Sequence, residues 1–177
     1  MKKLFAILFS LILIGCTEDK KETKVNSHEV IPGFKATQYM DIYFAGQPTD
    51  ENFAELKKAG FASVINLRQA TEGSYTEAKE KEAVEKASLI YTHIPMSGSE
   101  ELTDELISKI TSAIMKNRKL GKTLVHCGSG NRAAYWAGGH FFKDHKFSKE
   151  ESMSVAKSLG LTSSKLTDKL EDYLSKK

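Results

Sequence analysis

The chain has 177 residues, 40% of them hydrophobic and 28% charged, with a formal charge of +3. That length suits one domain with short additions, since domains commonly run about 100–150 residues, and neither an internal repeat nor a long low-complexity tract is present. Setting aside Lys2 and Lys3 leaves 24 basic against 23 acidic residues, a balance that gives no reason to expect nucleic acid as a partner.

The first element is "MKKLFAILFSLILIGC": two lysines, an apolar run from Leu4 to Ile14, then Gly15 and Cys16. A short positive segment leading into about 7–15 apolar residues has the form of a secretory signal and is short for a membrane span. A buried first helix is the competing reading, but the residues after Cys16, "TEDKKETKVNSHE", are polar and charged, as a flexible tether is. Leu13-Ile14-Gly15-Cys16 resembles the bacterial lipobox. That resemblance implies a lipidated Cys16 as the mature N-terminus, a membrane anchor and a periplasm-facing domain in a bacterial envelope. With Thr17 rather than Asp next, it favours the outer membrane. The expected organisation is a signal over 1–15, a lipidated cysteine and tether over 16–33, and a domain over 34–177. Cys127 is then the lone thiol of the mature domain, buried and inert or put to use.

Within the domain, 39–48 reads as an extended run ending in a turn at Gly46 and Pro48. A short helix comes next, capped by Thr49, opened by Asp50 and Glu51, and ended by Gly60, with Phe53 and Leu56 on its buried side. "FASVINLR" (61–68) is a β-branched, apolar strand. Residues 76–87 form a highly charged surface helix, and 89–95 a strand stopped by Pro95. The clearest amphipathic helix lies within 102–121, with Leu106, Ile107, Ile110, Ala113 and Ile114 on one stripe. "KTLVH" (122–126) is a short buried strand leading into Cys127. Helices over 131–144, 149–159 and 163–175 complete the chain, the second opened by a capping box of Ser148 and Glu151. Strand–helix alternation and then a run of helices predict a three-layer α/β domain, with a mostly parallel central sheet of about four strands flanked by helices.

The chemistry concentrates in "HCGSGNRA", 126–133. A cysteine at the end of a buried strand enters a loop with two glycines that opens a helix. Glycines permit a close turn with inward backbone N–H groups, and the helix start adds partial positive charge. Arg132 adds a full charge with a planar fork suited to two oxygens of a tetrahedral anion. Such surroundings favour the thiolate over the thiol, so nucleophile and anion cradle form one structure.

These residues resemble two cysteine-dependent groups. In the tyrosine and dual-specificity phosphatases the pattern is His-Cys, five residues, Arg. In the rhodanese sulfurtransferases it is Cys, four residues, Arg, which is the spacing from Cys127 to Arg132. Upstream, "AGQPTDENFAELKKAGFASVINLR" and "YTHIP" resemble the phosphatase-like domain of the beta-lactamase-hydrolase-like family, a bacterial branch of the dual-specificity phosphatase fold that carries the shorter loop. The resemblance spans about 38–160. It implies a metal-free, cofactor-free phosphatase acting on a phosphorylated protein or small molecule. Cys127 would be the nucleophile and Arg132 the phosphate clamp. Gly128, Ser129, Gly130 and Asn131 would supply backbone donors, and His126 would support the loop from beneath.

Two positions depart from the phosphatase pattern: Ala133 stands where Ser or Thr often comes after the arginine, and no general-acid Asp occupies its expected place after Ile94-Pro95. Glu100, Glu101 and Asp104 are the candidates for that acid. Arg68 reads equally as a salt-bridge partner or a substrate contact. His93 reads as core or support, His140 and His145 show no metal-ligand spacing, and Trp136, Phe141 and Phe142 read as core. A sulfurtransferase carrying a Cys127 persulfide and a non-catalytic phospho-ligand binder are the alternative functions.

Overall fold

The computed structural model describes residues 24–73 and 75–176. The sheet has six strands: β1 (Val25–Ile31), β2 (Phe34–Tyr39), β3 (Ile42–Ala45), β4 (Phe61–Asn66), β5 (Ile90–His93) and β6 (Lys122–His126), in the spatial order β1-β2-β3-β6-β4-β5. β3, β6, β4 and β5 run parallel. β1 and β2 extend them as an antiparallel hairpin turned at Pro32-Gly33. The sheet is therefore mixed and two strands wider than expected, and Val25–Ile31 is a strand rather than tether. The signal and Cys16 lie outside the described residues.

Among the described residues six α-helices cover the sheet: α1 (Asp50–Lys58), α2 (Glu77–Lys86), α3 (Asp104–Asn117), α4 (Asn131–His145), α5 (Lys149–Ser158) and α6 (Ser164–Ser175), with one 3₁₀ turn over Arg118–Leu120. Their termini obey the sequence signals. Thr49 and Asn52 form a capping box on α1, and Ser148 and Glu151 form one on α5. Thr103 caps α3 and Ser163 caps α6.

Alternation along the buried strands divides the apolar side chains between two cores. Val64, Leu124 and Tyr43 face α1 and α2, meeting Phe53, Leu56 and Val84. Ile65, Val125 and Phe44 face the opposite layer, meeting Ile107, Ile110, Trp136 and Leu170. Trp136 and Phe141 are core residues, and Phe142 packs partly buried against them. Because the four parallel strands share one direction, their C-terminal ends gather at one end of the molecule. Cys127, the residue after β6, stands there between the ends of β3 and β4.

Candidate active site

Local packing sets the loop after β6. Cys127 is only 1% exposed, and its Sγ accepts a hydrogen bond from the Gly130 N–H at 3.1 Å. Gly130 has φ +88°, a left-handed conformation that favours glycine, and an added Cβ would come within 3.3 Å of the Ala45 carbonyl group. The loop is thus pressed against the turn after β3. The Gln47 N–H donates to the Gly128 carbonyl at 3.2 Å, and a Cβ on Gly46 would lie 3.2 Å from the same oxygen.

Asn131 acts through its side chain. Its Oδ1 accepts from the Thr162 and Ser163 N–H groups, both at 2.7 Å, and its Nδ2 donates to Ser129 Oγ at 3.2 Å. The loop is thereby tied to the α5–α6 turn.

Arg132 opens α4 and is largely buried. Nη1 donates to the Met96 carbonyl at 2.9 Å and the Leu67 carbonyl at 3.3 Å, while Nη1 and Nη2 grip the two carboxylate oxygens of Glu72. Glu72 also takes the Gln69 N–H at 2.8 Å and Arg68 Nε at 3.2 Å. The hydrogen bonds from Arg132 outweigh the upward push of partial burial and hold the Glu72 carboxyl down at about 2. Burial would weaken the Arg132 charge, but Glu72 and the nearby Cys127 more than offset it. Arg68 has internal partners: besides Glu72 it donates to Gln47 Oε1 at 2.9 Å and lies 4.2 Å over the Tyr75 ring.

Beneath the loop, His126 is fully buried. Its Nε2 meets Glu80 Oε1 at 3.1 Å and its Nδ1 lies 3.4 Å from the Cys127 carbonyl oxygen. Glu80 is buried as well and also takes Asn66 Nδ2 at 2.7 Å and Gln47 Nε2. Burial alone would raise the Glu80 carboxyl, but the donors and charge of His126, with Gln47 and Asn66, hold it below its usual value. A continuous polar chain results, running His126–Glu80–Gln47–Arg68–Glu72–Arg132 and linking the residue before the cysteine to the arginine after it.

The three acid candidates are not gathered on the loop. Asp104 accepts from the Tyr173 hydroxyl at 2.6 Å, Glu101 pairs with Lys176 at 3.6 Å, and Glu100 folds back to accept the Ser97 N–H at 3.1 Å. His93 Nε2 contacts the Arg68 carbonyl at 2.6 Å, and His140 pairs with Asp144 at 2.8 Å. Among the described residues no cluster of His, Cys, Asp or Glu is arranged to hold a metal ion.

Sequence reasoning missed Glu72 and Glu80, and each left a trace. Glu72 is the single carboxylate between Arg68 and Tyr75, in a loop at the C-terminal edge of the sheet, where ligand sites of α/β folds lie. Glu80 falls in register with Ala83, Val84 and Ala87 on the inward stripe of α2.

A thiol at a central strand end, a glycine loop and an arginine in the first turn of the next helix, under a three-layer α/β fold, are the frame of the tyrosine and dual-specificity phosphatase fold. TpbA of P. aeruginosa shares this fold at a TM-score of 0.66 and 14% identity, over 85% of this chain and 89% of that one. A phosphatase-like DUF442 protein of Shewanella putrefaciens CN-32 does so at 0.60 and 24%, over 78% and 87%. At these identities the likeness is one of fold.

The family described as DSP-PTPase phosphatase fused to NAD+ kinase matches residues 23–159, and the chain belongs to it. The beta-lactamase hydrolase-like protein of Xylella fastidiosa (strain Temecula1) is 34% identical over 94 residues, 52% of this chain and 21% of that protein. The chain thus spans about a fifth of the curated relatives it matches.

Glu72→Gln removes the charge that fixes the Arg132 fork. Losing a charge-assisted hydrogen bond of about 1.5–3 kcal/mol is expected to loosen the fork and weaken the binding of inorganic phosphate by about 10–100-fold, as read by calorimetry. The depressed carboxyl also makes a stability prediction. Its contribution is complete above the ordinary carboxylate range near 4.5 and is lost as pH falls towards about 2. Acid unfolding of the wild type but not of Glu72→Gln should therefore steepen in that window.

Proposed function

We propose that this protein hydrolyses phosphomonoesters, with Cys127 as nucleophile and Arg132 as phosphate clamp. The observation that carries the reading is the Gly130 N–H directed at Cys127 Sγ beside an arginine whose fork Glu72 and two carbonyls hold in place. The Cys127 thiolate attacks phosphorus. An S–P bond forms, the ester P–O bond breaks, and the leaving oxygen takes a proton from an acid. Water then attacks phosphorus and gives its proton back to the now deprotonated acid, the S–P bond breaks, and inorganic phosphate leaves with the thiolate and the acid restored. Positioning and charge stabilisation supply most of this catalysis.

Glu100 is the acid we assign, because it lies in the loop that Met96 ties to Arg132, whereas Asp104 is engaged with Tyr173 of α6 and Glu101 with Lys176 just after it. Protonating the leaving group requires Glu100 to release Ser97. The substrate class is a phosphorylated protein or small molecule. A solved relative, TpbA of P. aeruginosa with a cysteine replaced by serine, is described in complex with phosphotyrosine, which supports a phosphoryl substrate here. The proposal extends to lipidation at Cys16 and display on the periplasmic face of the bacterial envelope.

Rapid quench with ³²P-labelled p-nitrophenyl phosphate tests the chemistry. Transient label on the Cys127 peptide supports the phosphatase reading. Turnover without that label overturns Cys127 as nucleophile, and a Cys127 persulfide formed from thiosulfate without ester turnover replaces the reading with sulfur transfer. Loss of radiolabelled palmitate incorporation in Cys16→Ala tests the anchor.

A further inference from the structure

The end of the sheet opposite Cys127 collects features the phosphatase chemistry does not use. Four large hydrophobic side chains stand exposed among the described residues: Met40 at 60%, Ile90 at 42%, Met115 at 47% and Leu120 at 64%. Met40 lies in the turn before β3, Ile90 begins β5, Leu120 closely precedes β6, and Met115 is in the last turn of α3. All four therefore occupy the end where the parallel strands start. Met40 and Met115 also flank a pocket of about 420 Å³ lined by Tyr39, Ile42, Phe44, Ile114 and Trp136.

Charge at this end is predominantly basic. α1, α2, α3 and α4 each leave the Cys127 end and finish here, and Lys24, Lys86, Lys116, Lys119 and Lys146 are exposed there. Asp41, Glu55 and Asp144 are paired with Arg118, Lys58 and Lys143, and Glu85 stands next to Lys86. The chain also enters the fold at this end, since Val25 pairs with Tyr39 and Tyr39 lines the pocket. From Cys16 to Val25 is nine residues, which reach at most about 30 Å when extended. No helix among the described residues is long and apolar enough to cross a membrane.

We infer that this end is a docking face for an anionic lipid bilayer, with Met40, Met115 and Leu120 entering the headgroup layer and the surrounding lysines meeting lipid phosphates. Apolar side chains ringed by cations are the composition that binds bilayer interfaces. A bilayer is brought within reach by the anchor proposed above, on which the inference rests. Docking in this way turns the Cys127 loop away from the membrane, towards soluble substrates.

The test uses the full chain, isolated from membranes and reconstituted into vesicles of phosphatidylglycerol and phosphatidylethanolamine, read by sedimentation and by amide hydrogen exchange. Co-sedimentation with slowed exchange at 40–42 and 115–122, the slowing reversed by salt, is the expected result. Neutralising Lys116 or Lys119 to Gln should weaken the slowed state roughly fivefold per charge. Met115→Glu with Leu120→Glu should abolish the slowing while the protein still sediments. Sedimentation with unchanged exchange in the wild type overturns the docking face and leaves the anchor standing. Failure to sediment overturns both.

Discussion

Replacing Cys127 with Ser is expected to remove phosphomonoester turnover, by on the order of 10⁴–10⁶-fold in kcat, while the loop keeps its shape. The geometry explains why the two effects separate. A serine oxygen can accept the same Gly130 N–H that reaches Sγ at 3.1 Å, and the Arg132 fork keeps Glu72, Leu67 and Met96 as partners when the sulfur is gone. A neutral hydroxyl without an adjacent base is a poor nucleophile towards phosphorus. Phosphate or vanadate should therefore bind the variant with near wild-type affinity by calorimetry, while p-nitrophenol release falls to background. Turnover surviving at even about a hundredth of wild type would move the chemistry to another group. Loss of both turnover and anion binding would show instead that the sulfur holds the loop together.

The parts of the fold that a local pattern specifies were legible in the chain. Apolar runs placed β4, β5 and β6, and caps placed α1 and α5 within a residue or two, because burial and capping leave period and end signals. β1 was not legible. Val25–Ile31 carries Asn26, Ser27, His28 and Glu29 on an exposed edge strand, so its polar composition matched a tether, and only the Pro32-Gly33 turn hinted at a hairpin. The site divides in the same way. Cys127, Arg132 and the glycines lie within six residues, and their spacing is itself the signal. The residues that hold them come from distant segments: Glu72 is 60 positions from Arg132 and Glu80 is 46 from His126. No spacing rule links such pairs. Glu80 was further masked by its place in the run "EAKEKEAVEK", where one glutamate looks like the next although one alone faces inward.

That inward glutamate carries the largest expected effect on stability. Glu80→Ala leaves Asn66 Nδ2, Gln47 Nε2 and His126 Nε2 without their shared acceptor in a buried space. Leaving buried donors without their acceptor costs about 1–3 kcal/mol for each group and more where a charge is involved, together a large fraction of the roughly 5–15 kcal/mol that holds a domain folded. Urea unfolding should show the midpoint falling sharply with little change in slope. Glu80→Gln is the informative companion. It keeps the volume, but an amide offers one acceptor where three donors converge, so one N–H must face another N–H. It should be destabilised nearly as much as the alanine variant, whereas a carboxylate valued only for its size would tolerate it. The pH dependence carries the same sign as its structure. Donors hold the folded carboxyl below its usual value, so its contribution is complete above the unfolded carboxylate range and disappears as pH falls through the lower folded value. Wild type and Glu80→Gln should therefore converge in stability in acid and diverge towards neutrality. Because Gln47 joins Glu80 to Arg68, and Arg68 meets the Glu72 carboxylate that grips the Arg132 fork, the surviving folded Glu80→Gln protein should also bind phosphate more weakly, although Arg132 alone in this chain of contacts is assigned to touch the anion.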